Sequence, residues 1–160
     1  MHALPNITLT KLAAAFVLIG IAMPAKAADV RIIDGDTLKI GDTTYRLWGI
    51  DAPEKGQQCE RQGNYYDCGA YARLALTAFV GDTTPICETK NKDRYGRSVA
   101  QCLVNGIDLG DWLVNNGFAL DYPAFSKGYY RAIQDMAESN ARGIWQGDFT
   151  MPWEWREKRR

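Results

Sequence analysis

The spacing of apolar positions changes repeatedly along this 160-residue chain, and each change marks an element. From Val30 to Ile50 the pattern alternates with a period of two and is rich in β-branched residues. It predicts three short strands: Val30 to Ile33, Thr37 to Ile40 and Thr43 to Ile50. Asp34-Gly35-Asp36 and Gly41-Asp42 separate them as tight turns. Lys55 to Asp67 is polar, contains Gly56, Gly63 and Asn64, and reads as an exposed loop. From Ala70 to Val80 the period becomes helical, with Ala70, Leu74, Ala78 and Tyr71, Ala75, Phe79 offering apolar rows, and Gly81 stops the helix. Pro85 to Thr89 and Ser98 to Val104 read as a hairpin with a long connection. Leu109 to Asn115 predicts a short helix ended by Asn116-Gly117, and Phe118 to Tyr122 a strand. Tyr129, Ile133, Met136, Ala137 and Asn140 predict an amphipathic helix of about three to four turns that ends at Gly143.

Five short strands with a helix between the third and fourth, followed by further helices, predict an α+β, mainly β domain. The expected form is a five-stranded, partly open OB-fold Greek-key barrel with about three helices. A small β-sandwich is the alternative, and the helices argue against it. One apolar run stands apart: Leu12 to Met23 follows Lys11 and precedes Ala25-Lys26-Ala27, the charged, apolar, small order of a secretory signal peptide. The run is about half of the roughly 20 residues that a bilayer-spanning helix needs. The expected organisation is therefore a signal peptide at 1–27, the OB-fold domain at 28–150 and a charged tail at 151–160. Arg156 to Arg160 reads as a solvated run. The protein is expected to be exported, periplasmic or extracellular, with no membrane attachment after cleavage.

Charge narrows the chemistry. The chain carries 19 basic and 19 acidic residues, and removal of Lys11 and Lys26 with the leader leaves 17 against 19. A general electrostatic surface for nucleic acid would be more basic, so any phosphate recognition must be local. The one histidine, His2, falls in the leader, which excludes histidine bases, serine-histidine triads and histidine metal ligands from the mature protein. Cys59, Cys68, Cys87 and Cys102 are an even number in an exported chain and read as two disulfides. Three pairings are open; Cys59 with Cys68 closes a short loop, and Cys87 with Cys102 joins two neighbouring strands. Zinc is the rival reading, but no pair has C-x-x-C spacing.

Three clusters carry functional groups at strand ends or turns: Asp34-Gly35-Asp36-Thr37, Arg46 through Glu54, and Asp93-Arg94-Tyr95-Gly96-Arg97. Asp36 and Asp51 offer hard oxygen ligands with no nitrogen or thiolate nearby in sequence, which favours Ca²⁺ or Mg²⁺. Taken alone, Asp34-Gly35-Asp36 is simply a hairpin turn. Two arginines and a glutamate beside a hard cation suit phosphoryl transfer, whose transition state spreads charge over equatorial oxygens. Glu54 is placed to deprotonate or orient the attacking water.

At these residues the chain resembles the thermonuclease family, the staphylococcal-nuclease-like enzymes. The resemblance runs from about Val30 to Trp145 and rests on the three clusters in the family's order and spacing. It implies an OB-fold barrel, Ca²⁺ as cofactor, and endonucleolytic cleavage of DNA and RNA that leaves 3′-phosphates. Carried over by motif, Arg46, Glu54 and Arg97 fall at the catalytic positions and Asp36 and Asp51 at the carboxylate ligands. Ala52 falls where a backbone carbonyl completes the metal shell. Arg94, Tyr95 and, with a small gap, Tyr122 match positions that flank the nucleotide; core packing is the equal alternative for Tyr122. A monomer without a stable protein partner is expected. The competing function is a non-cleaving OB-fold module that binds nucleic acid or saccharide at the cell envelope.

Overall fold

The computed structural model describes residues 29–159, so the expected signal peptide at 1–27 lies outside the described residues, as does Arg160. The chain runs β1 (Val30–Ile32), β2 (Thr37–Ile40), β3 (Thr43–Leu47), β4 (Ile50–Asp51), β5 (Gln58–Arg61) and β6 (Asn64–Asp67). Then follow α1 (Cys68–Val80), β7 (Ile86–Lys92), β8 (Ser98–Val104), β9 (Ile107–Asp108) and α2 (Leu109–Asn115). The last elements are β10 (Leu120–Asp121), α3 (Pro123–Ser126), α4 (Arg131–Ser139), a 3-10 turn (Gly143–Gln146) and α5 (Pro152–Glu157).

The main sheet has the order β1-β2-β3-β8-β7, with β9 added on β8. All pairings are antiparallel except β3 with β8, which is parallel and sets Arg46 opposite Val99. This is an α+β, mainly β, OB-like arrangement. No pairing of β7 with β1 closes it into a barrel among the described residues. Among the described residues there are five α-helices rather than about three, because α3 and α5 are too short for a 3.6-residue period to show.

Asp67 caps α1 by accepting from the Ala70 N–H at 2.8 Å, and Gly81, at φ 51°, ends it. The helix buries Ala72, Leu76 and Val80, whereas Leu74 and Tyr71 of the expected rows are exposed. The stripe was ambiguous because apolar residues occur around most of this helix. The buried stripe packs into one core with Leu38, Leu47, Ala100 and Leu113.

Lys55 to Asp67 is not a loop. It contains the β5–β6 hairpin, turned at Gln62 and Gly63, both with positive φ. The expected strand Thr43 to Ile50 breaks at Trp48-Gly49, and β4 pairs instead with β10, the residue of the expected strand Phe118 to Tyr122. The helix expected from Tyr129 to Asn140 is nine residues long, and Tyr129 lies outside it and exposed. The disulfides are Cys59–Cys68 and Cys87–Cys102. They suit an oxidising, non-cytoplasmic compartment. No helix among the described residues is long and apolar enough to cross a membrane.

Candidate active site

The first site element is the turn before β2. A Cβ on Gly35 would lie 2.7 Å from that of Ala52 and 2.8 Å from that of Ala72, so only glycine lets this turn press against both. The packing brings Asp36 to the Ala52 backbone, whose N–H donates to Asp36 Oδ2 at 2.8 Å, while the Thr37 hydroxyl donates to Oδ1 at 3.1 Å. Arg46 stands opposite Thr37 across β2 and β3. Its Nη1 is ion-paired with Asp36 Oδ1, and its Nη2 donates to Asp51 Oδ1 at 2.6 Å and to the Ile50 carbonyl at 3.3 Å. Burial pulls the Arg46 pKa below its ordinary value, opposed by the charges of Asp51 and Asp34. An arginine keeps its proton even so.

Asp51 is fully buried at the end of β4. Beyond it, the backbone carrying Glu54 is clamped. The Glu54 N–H donates to Gln57 Oε1 at 3.0 Å, and the Gln57 N–H returns to the Glu54 carbonyl at 2.9 Å. Gln57 is itself fully buried and donates through Nε2 to the Thr150 carbonyl at 2.7 Å. Gly69, at the start of α1, lies so close that a Cβ there would be 2.0 Å from the Glu54 carbonyl oxygen.

The turn between β7 and β8 delivers Arg97. Asp93 Oδ1 accepts from the N–H groups of Tyr95 and Arg97 at 2.9 and 3.0 Å, and its Oδ2 accepts from Arg97 Nε at 2.7 Å. Burial pushes the Asp93 carboxyl up, but the Arg97 side chain and these backbone donors together bring it below its ordinary value. Thus Asp93 shapes the turn and aims the arginine, whose Nη groups have no hydrogen-bond partner among the described residues. Arg94 donates to the Tyr95 hydroxyl at 2.8 Å, and Tyr95 stands exposed.

These groups converge on one cavity of about 610 Å³, lined by Asp36, Arg46, Ala52, Glu54, Arg94, Tyr95, Arg97 and Tyr122 among others. Four arginines and four carboxylates (Asp34, Asp36, Glu54, Asp93) line it, which localises strong charge on a near-neutral chain. Tyr122 is half-buried at the wall, stacked on Trp153 with centroids 5.2 Å apart and set edge-on to Phe125 at 4.9 Å.

Residues 44–147 match the family described as Staphylococcal nuclease homologue. The chain belongs to that family. This nuclease homologue is 41% identical over 118 residues to the succinoglycan biosynthesis protein ExoI of Rhizobium meliloti (strain 1021), over 72% of this chain and 62% of that protein. It is 29% identical over 167 residues to Protein ParB of Escherichia coli, over 91% of this chain and 89% of that one. Against the probable staphylococcal-like nuclease CAN1 of Oryza sativa subsp. japonica it is 30% identical over 117 residues, 72% of this chain but 33% of the plant protein. The chain therefore spans less than two thirds of the Rhizobium protein and about a third of the rice one.

The matched segment holds Arg46, Asp51, Glu54 and Arg97; Asp36 precedes it. One site residue of this homologue follows it and corrects the expectation of a solvated tail. Arg156, on α5, donates from Nη1 to Asp51 Oδ1 at 2.9 Å and to Glu54 Oε1 at 2.5 Å, and from Nη2 to Asp51 Oδ2 at 2.8 Å. Burial lowers its pKa, but its bonds to Asp51 and Glu54 outweigh that and raise it above the ordinary value. Pro152 at the first helical position, with Trp153 and Trp155 close behind, is the signal that could have shown a docked helix here. Gln57 had no such signal, because the bond that anchors its side chain runs to the Thr150 carbonyl, 93 positions away.

Proposed function

We propose that this chain is an exported, Ca²⁺-dependent nuclease that hydrolyses phosphodiester bonds of DNA and RNA endonucleolytically and leaves 3′-phosphates. The observation that carries the reading is the bridging of two buried carboxylates, Asp36 and Asp51, by Arg46 on the wall of a cavity that also holds Glu54 and Arg97.

Members of this family typically depend on a metal ion, and the donor set here fits one. In both aspartates Oδ1 is doubly engaged, whereas Oδ2 accepts a single hydrogen bond among the described residues and keeps capacity for a cation. The described residues contain no group of three or more acidic, cysteine or histidine side chains that could hold a metal. Asp36, Asp51 and the Ala52 carbonyl, all hard oxygen donors, would hold an oxygen-loving ion. Such an ion supplies neutralisation of phosphate charge. Arg97 presents its Nη groups to the phosphate, Arg46 adds its charge from the wall, and Glu54 takes a proton from the attacking water.

The test is plasmid and RNA digestion by the mature protein with Ca²⁺, with chelator, and with Glu54→Gln and Arg97→Ala. Each substitution is expected to lower the rate roughly 10²- to 10³-fold, and chelator to abolish cutting. Near-normal turnover in both variants would refute the assignment. The name of the Rhizobium relative favours a second reading, a non-cleaving envelope protein linked to polysaccharide. That reading predicts binding without chelator-sensitive cutting.

A further inference from the structure

We infer that Arg156 is a positioning residue of this site: its guanidinium holds Glu54 and Asp51 in their working orientations, which makes α5 part of the active site. The inference rests on the nuclease reading above and extends it beyond residues 44–147, the segment that matches the family.

The fork geometry carries the argument. The two Nη groups of Arg156 grip both oxygens of Asp51, at 2.9 and 2.8 Å, and Nη1 reaches Glu54 Oε1 at 2.5 Å. One planar group thus sets the relative position of Asp51 and Glu54. Exposed ion pairs contribute little, but here the Asp51 carboxylate is wholly buried, so this pair is withdrawn from water on one side. A lysine, with a compact ammonium in place of a planar fork, cannot reproduce the arrangement.

The helix that delivers Arg156 is docked. Pro152 is buried, Trp153 lies parallel to Tyr122 at 5.2 Å, and Gln57 holds the Thr150 carbonyl at 2.7 Å. Gln57 also binds the Glu54 N–H, so Glu54 is tied to the α5 region through its backbone as well as its side chain. The alternative, that Arg156 plugs the site, meets a stereochemical objection. Glu54 Oε2 has no hydrogen-bond partner among the described residues, and Asp51 Oδ2 accepts only one bond, so the oxygens required for proton transfer and for a cation remain usable.

The experiment compares wild type, Arg156→Ala, Arg156→Lys and the exposed-residue control Lys158→Ala. Initial rates on DNA with Ca²⁺, melting temperature, and Ca²⁺ binding by calorimetry without substrate are measured for each. Arg156→Ala should lose about a hundredfold in kcat, the scale of an ångström-level misplacement, with KM changed much less. Arg156→Lys should fail to restore it, and millimolar methylguanidinium should restore part of it, which a purely structural loss would not allow. Because Ca²⁺ and the guanidinium share Asp51, Arg156→Ala should bind Ca²⁺ several-fold more tightly, a charge effect independent of turnover. Wild-type kcat in Arg156→Ala, or unchanged Ca²⁺ affinity, overturns the inference; faster cutting marks a plug and overturns it too. Failure of the nuclease reading would show differently, in a wild type that binds Ca²⁺ and cuts nothing.

Discussion

Gly69→Ala separates the backbone beneath Glu54 from the side chains around it. A Cβ at this position would stand 2.0 Å from the Glu54 carbonyl oxygen and 3.1 Å from that of Pro53. A carbon needs about 3.3 Å from a carbonyl oxygen, so the start of α1 and the Glu54 backbone must part by roughly 1.3 Å. Backbone on both sides of the contact leaves no flexible side chain to yield. The Gln57 clamp opposes the movement, because Gln57 bonds both the N–H and the carbonyl of Glu54 and also holds the Thr150 carbonyl. Overpacking of this kind costs about 1–3 kcal/mol, and a base displaced by about an ångström costs about a hundredfold in rate, near 2.7 kcal/mol of barrier. Urea denaturation gives the first number and kcat on plasmid DNA, measured where the variant is fully folded, gives the second. Were Gly69→Ala to keep wild-type kcat and wild-type stability, the close approach of α1 to Glu54 would be wrong.

The two disulfides should differ in what their loss does. Cys59→Ser with Cys68→Ser should cost about 2.5 kcal/mol for its nine-residue separation and also lower kcat, since the Cys68 N–H holds the Gln57 carbonyl at 3.0 Å. Cys87→Ser with Cys102→Ser, across β7 and β8 and off the cavity lining, should cost about 3 kcal/mol for its separation of 15 with kcat unchanged; equal effects on kcat would contradict the distinction. The buried Tyr130 hydroxyl donates to Asp108 Oδ2 at 2.9 Å, and burial first, then the Asp108 charge, raise its pKa above the ordinary 10.0. A raised folded-state pKa means that this stabilisation is full below about pH 10 and is lost as pH rises further. Tyr130→Phe should lose about 1 kcal/mol at neutral pH and then decline less steeply than wild type in the alkaline range, as followed by denaturant titrations at stepped pH. Parallel curves would count against it.

Much of the site was legible because its groups are short contiguous clusters whose backbones were readable as turns. Asp36, Arg46 and Asp51 fall within one meander, and its β-branched alternation places Arg46 on a strand. The β5–β6 hairpin is hidden in the sequence because Gln58, Glu60, Arg61 and Asn64 are polar on both faces, which is also how an exposed loop reads; the Gln62-Gly63 pair is its one turn signal. Arg156 is obscured for a different reason. Five charged residues among the last five positions outweighed Trp153 and Trp155 just before them, although two tryptophans have no reason to sit in a solvated tail. Gln57 was not legible in the sequence, since the Thr150 carbonyl that anchors its side chain lies 93 positions away.

The parallel pairing of β3 with β8 has a consequence for when the site exists. Parallel neighbours cannot be joined by a hairpin, so Arg46 meets the strand that follows Arg97 only after β4 to β7 and α1 have found their places. Arg156 is later still, 105 positions beyond Asp51. Non-local pairings of this sort form late. A chain emerging from the ribosome therefore holds the acidic meander long before the arms that would work with it. Under the proposed nuclease activity, a chain still being made beside its own cell's genome would be inactive until those late contacts form.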